Sequence, residues 1–327
     1  MQAALVAVQL EIGAEILASP DVYRRHLETA ATRAITAAGA ADVRFVVFPE
    51  LAGHLALYAL APPSARKAKT LDAALAAAAV RRPLEVLRGV ASTRLLGARH
   101  AVLGALAPDG ERWWKSVMGP LAKTLDAYVV AGSHLRLSGD GALTNASALF
   151  DPSGRLVACT DKVNLVAGME DGARGGLGLS RGEPDAVPII DTPLGRAATL
   201  ICYDAFREPH TEHERFVVMG ARLAARGGVT VVANPAANPW PWQAPWRYAA
   251  ERELSRAEQW DVEGLCGMLR EVAFAKYGIT AHLVGEVLDL QFEGASEIVE
   301  REPGGVQVRA RATAHDRGGH VTALVSC

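Results

Sequence analysis

Short apolar runs alternate with helical patterns along the chain. The runs "ALVAVQL" (4–10) and "VRFVVFP" (43–49) predict strands, and residues 20–39 between them have the spacing of an amphipathic helix. The runs "YVVAGSHLRL" (128–137) and "GVTVVANP" (228–235) predict further strands, with a helix expected over 211–226. This order is typical of an α/β fold.

Two turn signals predict antiparallel hairpins. The Asp-Pro-Ser-Gly turn at 151–154 interrupts "NASALFDPSGRLVAC", and Thr192–Gly195 interrupts "VPIIDTPLGRAATLIC". Near the C-terminus, the runs "ITAHLVGEVLDL", "SEIVE", "VQVRARA" and "HVTALV" predict more strands. Hairpins mixed with crossovers indicate a mixed sheet, or two sheets, covered by helices.

Two segments depart from this alternation. Residues 61–126 are rich in Ala, Arg and Lys and have a helical pattern, whereas residues 238–277 run from "NPWPWQAPWRY" into a long amphipathic helix pattern. We expect one domain over 1–327, with 61–126 elaborated near a site and 238–277 forming a lid-like cover. Plain surface structure is the alternative for both segments.

Composition and charge narrow the class of protein. The chain has 327 residues, 50% of them hydrophobic, and a net charge of -2, so nucleic acid is not an expected partner. No run of eighteen apolar residues predicts a membrane span, and "MQAALVAVQLEIGAEI" lacks a basic leader, so a cytoplasmic location is expected. The cysteines are too scattered to predict a disulfide framework or a zinc site; they are Cys159, Cys202, Cys266 and Cys327.

Three chemically active side chains follow apolar strands. Glu50 comes after "FVVFP", Lys162 after "VACTD" and Cys202 after "ATLI". Open α/β sheets collect their ligands at the carboxyl ends of strands. A thiol also needs a base or a cation nearby to act at neutral pH. Taken one at a time, each residue has an ordinary alternative: a glutamate at a helix start, a solvated lysine and a cysteine in the core. Taken together, the three residues predict nucleophilic hydrolysis of an amide or nitrile.

The motifs "FPEL", "DKVNL" and "ICYD", in that order, resemble those of the carbon–nitrogen hydrolase (nitrilase) superfamily. "VAVQL", "TNASALFDPSG", "VVANPAANP" and "FEGASEIVE" also occur in family order. The resemblance implies a four-layer α-β-β-α sandwich. It also implies a homodimer or a higher homo-oligomer.

The same resemblance implies roles for individual residues. Cys202 would be the nucleophile and Glu50 the general base, while Lys162 and the backbone N–H of Tyr203 would stabilise the tetrahedral intermediate. Glu170, eight residues after the lysine in "AGMED", would position the lysine and the substrate. The implied partner is a small-molecule amide or N-carbamoyl compound, and neither a metal nor an organic cofactor is required.

The chain also departs from the family pattern. Cys202 is followed by Tyr-Asp, not by the Trp-Glu of true nitrilases, which favours amide or carbamoyl substrates. Nitrile hydrolysis, acyl transfer to an amine and a catalytically lapsed dimeric scaffold stay open. The interval from residue 50 to residue 162 is longer than usual, and the excess lies within 61–126. We predict four substrate contacts near the implied site: His54, Arg207, Asn234 and Trp240.

A metal hydrolase is a weaker alternative. The stretch "EPHTEHE" (208–214) gathers His210, His213 and acidic residues. It lacks the two-histidine spacing of HExxH and is one residue short of HxxEH. We therefore expect no metal in the site.

Overall fold

Strands and helices alternate along most of the computed structural model, which describes residues 1–80, 82–92, 97–172, 176–246, 248 and 252–326. The strands are β1 (Gln2–Ile12), β2 (Val43–Val47), β3 (Tyr128–Val130), β4 (His134–Leu137), β5 (Leu143–Phe150), β6 (Leu156–Asp161), β7 (Ile190–Thr192), β8 (Gly195–Thr199), β9 (Val229–Ala237), β10 (Ala275–Val287), β11 (Leu290–Phe292), β12 (Glu297–Glu302), β13 (Gly305–Arg311) and β14 (Gly319–Ser326). The helices are α1 (Pro20–Ala38), α2 (Ala52–Leu60), α3 (Pro63–Arg66), α4 (Leu71–Ala79), α5 (Pro83–Ser92), α6 (Gly97–Leu125), α7 (Met219–Ala225), α8 (Arg256–Glu263) and α9 (Leu265–Glu271).

The first strand joins two halves of the sheet. β1 runs parallel to β2 and antiparallel to β14, and its last three residues pair in parallel with β10. The strand order along the sheet is β4-β5-β3-β2-β1-β10-β9-β8-β7. One half therefore contains β2 to β6 and β14, and the other contains β7 to β13.

The two halves pack face to face between outer layers of helices. Successive side chains of a strand point to opposite faces of the sheet. On β1, residues 4, 6 and 8 pack with α1 and α6, whereas residues 3, 5 and 7 pack with β9 and β10 of the other half. On the far face of that half, Val232 packs with α7 and α9. The fold is thus the four-layer α-β-β-α sandwich expected from the sequence.

Most of the predicted elements form, and three predictions were wrong in extent. The helix over 20–39 is confirmed as α1, and both hairpins are confirmed as β5–β6 and β7–β8. The strand over 128–137 is broken into β3 and β4 because Gly132 has a φ of 56°. The helix over 211–226 is only α7, since Asn164 hydrogen-bonds both the N–H and the carbonyl of Val217 and so holds the chain before α7 against the loop that follows Lys162.

The elaborated segment 61–126 is helical where it is described. It contains α3 to α6, with α6 spanning 29 residues. Neither α6 nor any other helix in the described ranges is long and apolar enough to cross a membrane. The Nδ1 atom of buried His100 lies 2.8 Å from the Gly178 carbonyl, which joins α6 to the loop after Glu170. The segment therefore lies beside the candidate site.

The segment 238–277 does not contain the long helix predicted for it. Two short helices, α8 and α9, are separated at Gly264, and β10 begins at Ala275. Ser255 and Glu258 form a capping box at the start of α8, which stabilises the first turn of that helix. Residues 247 and 249–251 of this segment lie outside the described part of the chain.

Candidate active site

Glu50 lies in a tight corner between β2 and α2. The next residue, Leu51, has a φ of 66°, and its N–H donates to the Ser133 hydroxyl at 3.0 Å. Gly132 supports the corner from below: a Cβ there would lie 2.0 Å from the Pro49 carbonyl oxygen. The glycine is therefore required for the approach of the two loops, and this contact fixes where Glu50 points.

Lys162 immediately follows β6 and lies between two carboxylates. Its Nζ atom is 2.7 Å from Glu50 Oε1 and 2.6 Å from Glu170 Oε2. Its backbone N–H donates to the Asn145 carbonyl at 2.8 Å. The lysine side chain is only 1% exposed, so both ion pairs are shielded from water.

Asn145, on β5, joins the same two carboxylates. Its Nδ2 atom donates to Glu50 Oε1 at 2.9 Å and to Glu170 Oε1 at 3.1 Å. Glu170 Oε2 also accepts the Val166 N–H at 2.9 Å. Sequence reasoning missed Asn145, although a polar residue within the apolar run "TNASALF" was a signal that it has a buried partner.

Cys202 begins a 3₁₀ turn three residues after the end of β8. Its φ is 48°, an uncommon value for a residue with a side chain. Asn234 of β9 stabilises this turn, because its Nδ2 atom donates to the Leu200 carbonyl at 2.8 Å and to the Cys202 carbonyl at 3.2 Å. The thiol lies 3.6 Å from the Ala237 carbonyl and also interacts with the Glu50 carboxylate.

The Tyr203 N–H belongs to the first residues of this 3₁₀ turn, where N–H groups lack partners within the helix. The Tyr203 ring packs beneath the site, stacked on His210 with 4.1 Å between ring centroids. Its hydroxyl donates to Glu214 at 2.6 Å and accepts the His210 N–H at 2.5 Å. These bonds hold the residue after the cysteine in place.

Asp204 connects the cysteine turn to the lysine loop. Its carboxylate accepts the Val163 N–H at 3.1 Å and the Asn164 N–H at 2.6 Å. Burial raises the pKa of Asp204 to about 7, although these N–H groups and Lys162 oppose the shift. Sequence reasoning gave this residue no role, because its partners lie about forty positions away.

The electrostatics of the site follow from burial and close charges. Burial raises the pKa of Glu50, Lys162 opposes the shift, and the Glu170 charge adds to it. Burial alone would lower the pKa of Lys162, but Glu170 and Glu50 together hold it well above its usual value. Burial, followed by the Glu50 charge, raises the pKa of the Cys202 thiol. At neutral pH the resting site thus holds an ammonium and a neutral thiol.

These groups line a cavity of about 300 Å³. Of the predicted substrate contacts, His54 and Trp240 line this cavity. Arg207 does not: its guanidinium pairs with Glu271 and Glu208, away from the thiol. Asn234 is also outside the lining and supports the cysteine turn from beneath.

Arg256 lines the same cavity and was missed from the sequence. Its guanidinium stacks 3.9 Å from the centroid of the Trp246 ring, and its Nε donates to Asn238 Oδ1 at 2.7 Å. Burial lowers the pKa of Arg256 to about 9, with Cys202 the first of the groups that oppose this shift. From the sequence alone, Arg256 is indistinguishable from an exposed arginine at a helix start, because the neighbouring residues do not indicate that it is buried.

The two histidines considered for a metal do not converge. His210 is buried against Tyr203, and burial lowers its pKa to about 2. The His213 side chain is 88% exposed. Within the described ranges, no group of three His, Cys, Asp or Glu side chains is arranged to hold a metal ion.

Residues 7–250 match the carbon-nitrogen hydrolase family, and the chain belongs to that family. A hydrolase of Schizosaccharomyces pombe is 32% identical over 124 residues, which are 37% of this chain and 34% of that protein. The chain thus spans about a third of the length of this curated relative.

Solved structures share the fold at low sequence identity. A carbon-nitrogen hydrolase from Helicobacter pylori has a TM-score of 0.65 and 14% identity, with 100% of this chain and 90% of that chain covered. A double mutant of an amidase from Nesterenkonia sp., in complex with acrylamide, has a TM-score of 0.59 and 16% identity, again covering 100% and 90%. A glutamine-dependent NAD+ synthetase from Acinetobacter baumannii has a TM-score of 0.60 and 15% identity, but this chain covers only 46% of it.

Proposed function

We propose that the protein hydrolyses the C–N bond of a small amide or N-carbamoyl compound through a thioester on Cys202. The observation that carries this proposal is the buried Lys162 ammonium, bonded at 2.7 Å to the buried Glu50 carboxylate and at 2.6 Å to the partly buried Glu170 carboxylate, beside a thiol in one cavity. A base, an oxyanion partner and a nucleophile are the groups that acyl transfer needs.

In the first half of the reaction, Glu50 removes the thiol proton as Sγ attacks the carbonyl carbon. The S–C bond forms, and the carbonyl oxygen takes the negative charge beside Lys162 and the Tyr203 N–H. Glu50 then gives its proton to the nitrogen as the C–N bond breaks. The raised pKa of Glu50 suits a group that must both accept and return a proton near neutral pH.

In the second half, water attacks the thioester while Glu50 takes one of its protons. A C–O bond forms as the S–C bond breaks, Glu50 returns its proton to the Cys202 sulfur, and the carboxylic acid leaves. Glu170 holds the Lys162 ammonium in position throughout, because its Oε2 is anchored by the Val166 N–H. Tyr203 and Asp204 after the cysteine support amides or carbamoyl compounds as substrates in preference to nitriles.

Replacing the nucleophile or the base tests this proposal. We expect Cys202→Ala to abolish ammonia release from amides and Glu50→Gln to lower kcat by about 10²–10⁴-fold, the usual contribution of general base catalysis. Cys266→Ala, which changes a buried cysteine outside the cavity, is the matched control and should keep turnover. Far-UV circular dichroism checks that each variant folds.

Covalent labelling provides a second readout of the same prediction. A structure of a single mutant of the Nesterenkonia amidase shows the result of Michael addition of acrylamide at the active-site cysteine. We expect acrylamide to modify Cys202 faster than the other cysteines, as measured by peptide mass spectrometry. Wild-type turnover in Cys202→Ala, or equal labelling of all cysteines, would contradict the mechanism and favour a scaffold without chemistry.

A further inference from the structure

A second cavity, of about 160 Å³, adjoins the catalytic one. We call it the side cavity. The two spaces share six lining residues: Leu51, His54, Leu71, Leu177, Leu290 and Phe292. Because these side chains border both spaces, the side cavity lies directly against the cavity that contains Cys202.

The lining of the side cavity is hydrocarbon. Among the described residues, only His54 and Tyr58 add polar atoms to it. The Tyr58 hydroxyl already donates to the Arg66 carbonyl at 2.8 Å. Burial lowers the pKa of His54 to about 3, so its ring is uncharged at neutral pH. The side cavity therefore offers no charge to a ligand and disfavours an ionic group.

The elaborated segment builds one wall of this space with small side chains: Ala61, Ala65, Ala74 and Ala78. Helix α4 carries Ala74 and Ala78, and contacts of its first turn hold it beside the side cavity. Asp72 pairs with Arg99 of α6 at 2.6 Å, and the Leu71 N–H donates to the Asp289 carboxylate at 2.9 Å. The wall is thus held in place from two sides.

An apolar space of this size is unusual in a closely packed interior. An apolar cavity of about 150 Å³ stays dry and is large enough to bind benzene. The side cavity is of similar volume. We infer that it holds a benzene-sized hydrocarbon group of the substrate, a phenyl ring or an alkyl chain of similar volume. This inference rests on the proposed amide hydrolysis.

The chemistry assigns this group to the acyl side of the amide. Once the thioester forms, the leaving amine has to be replaced by water, so the leaving-group side needs access to solvent. The acyl group stays bound to Cys202 until the thioester is hydrolysed, and it can occupy an apolar space that the exchange of amine for water does not cross. The substrate class is therefore an amide with an apolar acyl chain.

A series of primary amides tests the inference. We expect kcat/KM for ammonia release to rise about fourfold per methylene from propionamide upwards, as expected for hydrocarbon transfer, and to stop rising once the side cavity is filled. 3-Phenylpropanamide should be among the best substrates. A flat or falling series in an active enzyme would overturn the inference and leave the proposed function standing.

Filling the side cavity gives a sharper comparison. Ala78→Phe should lower the ratio of kcat/KM for hexanamide over propionamide by about tenfold or more, since two or more methylenes lose their site. Ala76→Phe, on the exposed face of the same helix, is the matched control and should keep that ratio. Ala74→Leu is a smaller change with the same expected direction should Ala78→Phe fail to fold.

Binding separates the two proposals. Calorimetric affinity of the Cys202→Ala protein for the same amides should rise with chain length whether or not the wild-type protein turns them over. Chain-length-dependent binding without any turnover would overturn the proposed function alone. Binding that is independent of chain length would overturn the side-cavity inference.

Discussion

Lys162 lies where an isolated charge would be costly. Its side chain is 1% exposed, and burial by itself favours the neutral amine. Glu50 and Glu170 reverse that preference. The Asn145 side-chain amide donates to Glu50 Oε1, the oxygen that also accepts from Lys162, and to Glu170 Oε1, the oxygen that Lys162 does not contact. Removing Lys162 would leave these two carboxylates close together with no ammonium between them, which is far costlier than the loss of one surface ion pair.

The pH dependence of kcat/KM reports on Glu50. The proposed base must be ionised, and its pKa is raised by burial and by the Glu170 charge. Activity should therefore fall with decreasing pH at values above the usual range for a glutamate. The measurement is kcat/KM against pH with a substrate that does not titrate.

A variant at position 170 gives the control for this profile. Glu170→Gln removes a negative charge that raises the pKa of Glu50, so the acid limb should move to lower pH while the overall rate falls. An acid limb that stays in place or moves to higher pH in this variant would contradict the assignment of Glu50 as the base.

Individual residues differ in how well the sequence predicted them. Glu50, Lys162 and Cys202 each follow an apolar strand, so their convergence at one edge could be expected from local patterns. Arg207 was expected to contact the substrate, but it does not line the cavity, and sequence position does not reveal that Glu271 pairs with it. Arg256 could not be found at all, since its burial depends on a tryptophan cluster brought together by the fold.

Among the elements, the Asp204 carboxylate joins the 3₁₀ turn that begins at Cys202 to the loop that follows Lys162. Asp204→Ala would leave the buried Val163 and Asn164 N–H groups unpaired, at a cost of about 1–3 kcal/mol each in free energy of unfolding. We expect lower stability in urea unfolding and a lower kcat, because the Lys162 loop loses its link to Cys202.

The isosteric change Asp204→Asn separates packing from charge. The folded-state pKa of Asp204, about 7, lies above its ordinary value of 3.8, so the folded state binds the proton more tightly. Its contribution to stability is therefore greatest below pH 3.8 and declines as the pH rises towards 7. The free energy of unfolding of Asp204→Asn should decline less over that range than that of the wild type; an equal decline would contradict the shifted pKa.

Elements with local signals were predicted better than those fixed by distant contacts. Helix α1 has Ser19 as its N-cap, Pro20 at its start and Gly39 just after its end, and these local signals lie at the two ends of the predicted range 20–39. The region before α7 has a helical pattern but is held extended by Asn164, a residue more than fifty positions away. Local periodicity cannot report such a contact.

At the scale of the whole molecule, β1 belongs to both halves of the sheet and the space between them is one shared core. This sharing agrees with the single domain expected over 1–327. The single domain stays a prediction, as does the homodimer. Residue 327, with the fourth cysteine, lies outside the described part of the chain.

Unfolding tests whether the two halves behave as one unit. Trp114 reports on one outer helix layer and Trp260 on the other side of the molecule. We expect tryptophan fluorescence and far-UV circular dichroism to give one coincident transition in urea. Leu27→Ala on α1 and Met268→Ala on α9, both in the core, should each shift both probes together, by about 2–5 kcal/mol.

Separate transitions, or a Leu27→Ala shift seen by one probe only, would indicate that the halves unfold independently. In that case the site itself would depend on their docking, because Glu50 and Cys202 come from different halves of the sheet.

The pairing of Lys162 with two carboxylates has a consequence for how the proposed reaction runs. Taken by themselves, the Cys202 thiol, the Glu50 and Glu170 carboxylates and the Lys162 ammonium carry one surplus negative charge. When the proton passes from sulfur to Glu50, that surplus does not change, and it is the same again once a neutral amine departs. Formation of the thioester therefore needs no counter-ion to enter or leave, because one proton moves from sulfur to Glu50 and on to the departing nitrogen.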